Sequence, residues 1–104
     1  MSIYNKQYFI DKFSAIPSDD IGQGDSRCNC ALYHCGVVID SDNNYVMTDE
    51  ANALGRLVLP VAQSVYRVDA DELYRAVYTI NDNAIHLGTT PRERILAALN
   101  LIPD

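Results

Sequence analysis

All three cysteines and one of the two histidines of this chain lie in the run Arg27-Cys28-Asn29-Cys30-Ala31-Leu32-Tyr33-His34-Cys35-Gly36. Thiols and imidazoles serve as nucleophiles, bases and metal ligands near neutral pH, so chemistry is sought here first. Read as a helix, with about 100° between residues, the run puts Cys28, Ala31, Leu32 and Cys35 on one face. Cys30 and His34, four residues apart, share another. Ligands spread around one short helix cannot converge on a tetrahedral zinc. A zinc site would need Cys30 and His34 as a pair with ligands from elsewhere, His86 or Asp82, or else Cys28 folding back from a loop before the helix. Cys35 is the further thiol in the candidate metal set Cys30, His34, Cys35 and His86. The spacing Cys-x-Cys-x3-His-Cys matches no standard structural zinc pattern.

A second chemistry is nucleophilic. A cysteine in the first turn of a helix has its thiolate stabilised by the helix dipole and by free N–H groups. Cys28, beside Arg27, is the first candidate and Cys30 the second, with His34 or His86 as the base. Asp82 or Asn83 would orient His86, and Gln23 upstream is a candidate oxyanion donor. This order resembles the logic of papain-like cysteine proteases. The spacing from Gln23 to Cys28 differs, however, no aromatic residue follows the cysteine, and 104 residues are too few for that fold. The third reading is structural and leads: Cys28 and Cys35 are small core residues, and His34 is satisfied by a neighbouring carbonyl or carboxylate.

These residues must be positioned by a mainly helical scaffold. Ser2 is expected to cap a first helix that runs to about Ala15 and stops before Pro17, burying Phe9, Phe13 and Ile16, with Tyr4 and Tyr8 at its edge. The segment 18–26 is a loop containing Gly22 and Gly24. Asp25 or Ser26 should cap a second helix that ends near Cys35, with Gly36 as its left-handed terminator. Val37 to Ile39 and Tyr45 to Met47 flank the turn signal Asp40-Ser41-Asp42-Asn43-Asn44, so residues 37–47 form either a small hairpin or a loop. That run lacks the glycine and closing glutamate of a calcium-binding EF-hand.

Thr48 should cap a third helix with Ala51, Leu54 and Val58 on its buried face, ending or kinking before Pro60. Pro60 could then open a further short helix. Asp69 and Glu72 have the spacing of a capping box, with Val68 and Leu73 as a hydrophobic staple, for a helix burying Leu73, Ala76, Val77 and Ile80. Thr90-Pro91-Arg92-Glu93 announces the last helix, whose core face is Ile95, Ala98, Leu99 and Ile102. The expectation is a single domain over residues 1–104, a compact bundle of five to six short helices with at most one hairpin.

Composition narrows the function. Hydrophobic residues make up 48% of the chain and charged residues 21%, with no low-complexity tract. A chain of this length buries roughly 65% of its unfolded surface and needs no disulfide or metal to fold. The formal net charge of −6 argues against nucleic acid and anionic membranes as partners. No apolar run reaches the about 18 residues of a membrane span, and the first residues lack the pattern of a signal peptide. The expected location is the cytosol, where three cysteines remain free thiols.

The motifs Cys30-Ala31-Leu32-Tyr33-His34-Cys35-Gly36, Thr48-Asp49-Glu50-Ala51, Asn81-Asp82, and Thr90-Pro91 followed by Arg94-Ile95-Leu96-Ala97-Ala98-Leu99 occur in that order. In this they resemble a group of small proteins from tailed phages and bacteria, in which the first motif usually reads Cys-Ala-Leu-Gly-His-Cys-Gly. The resemblance runs from about Tyr8 to Leu101. Tyr33 replaces the family's glycine, and the stretch before Asn81 is longer than usual. The resemblance implies a phage or bacterial source and a shared organisation, and no reaction. With no paired carboxylates at catalytic spacing, no phosphate loop and no basic face, the expected function is non-enzymatic binding or regulation. The partner would be a host or phage protein, or a small ligand. The polar groups expected to gather at helix ends as a binding surface are Cys30, His34, Asn81, Asp82 and His86.

Overall fold

The structure, a computed structural model, describes residues 3–21 and 30–103. Five α-helices form along these segments: α1 (Lys6–Ala15), α2 (Ala31–His34), α3 (Asp49–Val65), α4 (Leu73–Asn83) and α5 (Pro91–Asn100). Short 3-10 turns occupy Ser18–Asp20 and Ile85–Leu87. Strands β1 (Val38–Ile39) and β2 (Tyr45–Val46) pair antiparallel, Val38 opposite Val46 and Ile39 opposite Tyr45. Among the described residues the fold is thus mainly helical with one small hairpin. Its radius of gyration is 12.3 Å, close to the ~13 Å typical of a compact chain of about 100 residues.

The hairpin forms because its turn is tied internally. The Asp40 carboxylate accepts the backbone N–H groups of Asp42 and Asn44, both at 2.9 Å. Asn43 takes the left-handed conformation (φ 64°) that asparagine tolerates.

The core gathers one stripe from each helix. Phe9 and Phe13 of α1, Leu54 and Val58 of α3, Val77 and Ile80 of α4, and Ile95 and Leu99 of α5 are all fully buried. Helix α3 packs tightly on the start of α4 at Gly55, where a Cβ would lie 2.7 Å from the Leu73 carbonyl oxygen. Only glycine lets the two backbones approach this far. A polar clasp ties α1 to α3: the Tyr8 hydroxyl and Lys12 Nζ both donate to Glu50 Oε2, at 2.9 and 2.6 Å. Arg92 of α5 reaches back to the carbonyls of Phe13 and Ser14 at 3.1 and 2.8 Å.

Three local expectations are revised. The cap of α1 is Asn5, whose side chain accepts the Tyr8 N–H at 2.8 Å, while Ser2 lies outside the described residues. Pro60 neither ends nor divides α3, which runs unbroken to Val65. Pro60 and Arg56, whose carbonyl the missing N–H would have bonded, are both exposed, so the lost bond falls on the outer face of the helix. Buried Ala62 holds the following turn on the core. Third, Asp69 and Glu72 build no capping box. The Glu72 N–H closes a turn onto the Asp69 carbonyl at 3.0 Å, and Glu72 is itself the residue preceding α4. Its carboxylate points forward, to the Tyr74 hydroxyl at 3.3 Å and Arg75 Nε at 3.5 Å. The expected caps of the second helix, Asp25 and Ser26, lie outside the described residues, and α2 begins only at Ala31.

The other start signals operate as read. Thr48 accepts the Ala51 N–H at 3.1 Å and Thr90 the Glu93 N–H at 3.2 Å, with Pro91 in the first turn.

Candidate functional site

Helix α2 is four residues long, too short to hold itself together. Its C-terminal end is closed locally. Gly36 sits at φ +85°, its N–H bonds the Tyr33 carbonyl at 3.0 Å, and the Val37 N–H bonds the Leu32 carbonyl at 3.1 Å. This is a Schellman closure with Val37 and Leu32 both buried. Its N-terminal end has no side-chain cap from Cys30. The cap comes from another helix instead: Asn81 Oδ1 of α4 accepts the Ala31 N–H at 3.1 Å.

Asn81 is fully buried, and its amide nitrogen donates to Asp82 Oδ1 at 2.6 Å. Its own backbone carbonyl accepts Arg94 Nη1 of α5 at 2.9 Å. Arg94 is 5% exposed and also donates to the Gly88 carbonyl at 3.0 Å and the Thr89 carbonyl at 3.4 Å. One guanidinium thus binds carbonyls from the end of α4 and from the loop leading into α5. A buried cation needs such partners to offset its desolvation. Neither residue's part in this knot was anticipated from the sequence, although both lie on buried stripes. Asn81 is four residues after Val77, and Arg94 is four before Ala98. A polar side chain at a core position of the helical repeat is the signal.

The thiols of the described residues belong to this scaffold. Cys30 is 4% exposed and Cys35 1%. Burial raises the Cys30 thiol above its ordinary range, against lowering by the Tyr33 and Leu32 amides. Burial, then the charge of Glu50, pushes Cys35 up to about 12. Both environments favour the protonated thiol, the form that is neither nucleophile nor ligand. His34 Nε2 lies 2.8 Å from the Asp20 carbonyl oxygen, a contact that requires the proton on Nε2. His34 is half-buried and His86 is exposed on the 3-10 turn after α4. The structure therefore joins Cys30 to Asn81 and Asp82 through the start of α2, inside the protein, while His34 and His86 stand nearer the solvent. Cys28, Arg27 and Gln23 lie outside the described residues.

Among the described residues, ligand atoms from three His, Cys, Asp or Glu side chains approach within 4.8 Å of one another only at Asp69, Asp71 and Glu72. Within the described set, Cys30, His34, Cys35 and His86 do not converge as a soft-metal site.

The opposite flank of α4 is open. Tyr66 and Arg67, just after α3, and Arg75, Tyr78, Thr79 and Asn83 of α4 line a cleft of about 290 Å³. Arg75 is held from behind by Glu72, and its Nε–H makes no hydrogen bond. Arg67 is exposed and has no ion-pair partner among the described residues. The rings of Tyr45, Tyr74 and Tyr78 continue in contact along this flank, at centroid separations of 5.0 and 6.1 Å.

No helix is long and apolar enough to cross a membrane among the described residues. No family model, curated protein or solved structure matches the chain.

Proposed function

We propose that this protein is a small, non-enzymatic binding module acting in the cytosol on a partner protein or a small ligand. A phage or bacterial origin belongs to this reading and rests on the motif resemblance alone. The observation that carries it is the division of polar groups between the two sides of α4. The thiols of Cys30 and Cys35 and the amide of Asn81 are withdrawn into the scaffold. The open cleft offers guanidinium, phenol and amide groups, which recognise ligands and lack a ready nucleophile or base at neutral pH.

The test is alkylation of the native protein with iodoacetamide at neutral pH, with the modified cysteine identified by peptide mapping. The expected result is slow labelling of Cys30 and Cys35 that accelerates on unfolding, with Cys28 no faster than a free thiol in a peptide. One cysteine, Cys28 included, reacting far faster than such a thiol would overturn the reading in favour of a thiol enzyme.

A further inference from the structure

We infer that the cleft between the end of α3 and the outer flank of α4 binds a small aromatic monocarboxylate, with Arg67 and Arg75 on the carboxylate and Tyr66 and Tyr78 against the ring. The inference rests on the binding-module reading and gives that module a ligand class. Two guanidinium groups line one cleft in a chain whose net charge is −6. An arginine fork matches the two oxygens of a carboxylate, and a protein selects it where planar, bidentate recognition matters. Arg67 has no anionic partner among the described residues, so its fork is available. Arg75 is oriented by the Glu72 carboxylate, 3.5 Å from Nε, and by a side-chain hydrogen bond with Tyr78, so its guanidinium is held at the wall of the same cleft.

Size and charge restrict the ligand further. About 290 Å³ lies at the lower edge of the ~300–1,000 Å³ typical of ligand cavities and suits one ring rather than two. Tyr66, 58% exposed, and half-buried Tyr78 offer aromatic faces, and the Asn83 amide can meet a polar substituent. Asp69, Asp71 and Glu72 cluster beside Arg75. Their negative charge disfavours a phosphate monoester, which carries about −1.5 to −2 at neutral pH. A monocarboxylate meets less repulsion.

The experiment is a ¹H–¹⁵N correlation titration of the full chain with 4-hydroxybenzoate, with 4-hydroxybenzamide and phenyl phosphate in parallel. Saturable shifts confined to the amides around Tyr66, Arg67, Arg75, Tyr78, Thr79 and Asn83 are expected with the carboxylate alone. Arg67→Gln should weaken binding by about tenfold or more while the rest of the spectrum is unchanged. Absent saturation, an equal response to the amide, preference for phenyl phosphate, or an indifferent Arg67→Gln variant would each overturn the inference. A failed titration with slow thiols removes this cleft and leaves the binding reading to another surface. A fast thiol removes that reading whatever the titration gives.

Discussion

Helix α4 carries two polar regions that differ in kind. On its inner side Asn81 is buried and shares hydrogen bonds with α2 and α5. On its outer side Arg75, Tyr78 and Asn83 face an open cleft beside Arg67. Buried polar groups that lose their partners cost free energy, whereas exposed ones exchange a partner for water. The inner group therefore specifies the fold, and the outer group is free to serve recognition.

Substitutions should expose that separation. Arg94→Met removes the donor to three buried or part-buried carbonyls, and we expect a loss of about 3 kcal/mol or more in urea unfolding. Asn81→Leu strips the cap from α2 and should cost about 1–3 kcal/mol, with local loss of order around Ala31 visible by NMR. Gly55→Ala, which drives a Cβ into the Leu73 backbone, should cost a comparable ~1–3 kcal/mol without touching either polar group. On the outer side Arg67→Ala should stay within about 0.5 kcal/mol of the parent. A cost at Arg67 equal to that at Arg94 would erase the distinction.

Alkaline pH gives a further contrast. Cys35 is raised to about 12 from 9.0 by burial, and Tyr8 to about 12 from 10.0, first by its hydrogen bond to Glu50. Both groups hold their protons more tightly when folded, so the folded state binds more protons between the two values. Stability is full below about pH 9 and falls as pH rises towards 12. Thermal unfolding across this range should show the decline, and Tyr8→Phe should remove its upper part. A flat profile would deny that these groups are held as described.

Much of the scaffold was legible in the chain because its signals are local. Thr48, Thr90 and Gly36 act within a few residues of themselves, and the apolar periodicity of α3, α4 and α5 names most of their buried residues. The misread features depend on distant partners or on context. Pro60 is a breaker by propensity, yet packing of Ala62 carries the helix past it. Asp69 and Glu72 have capping-box spacing, but Glu72 is turned towards Tyr74 and Arg75. In the cysteine-histidine run the structural reading holds for Cys35, buried in the core, and for His34, which meets the Asp20 carbonyl, whereas Cys30, expected at a binding surface, is buried because α2 docks on α4. The cleft was invisible because Tyr66 and Arg67 meet α4 only through the fold.

The capping of α2 by Asn81 also has a kinetic meaning. A four-residue helix whose first amide is secured from fifty residues away has no independent existence before α4 docks. The Ala31 amide proton should therefore exchange with deuterium only in openings that separate α2 from α4, rather than by fraying of its own short helix. That one proton reports on the cooperativity of the domain: its protection should track the buried amides of α4 and outlast those of the β1–β2 hairpin.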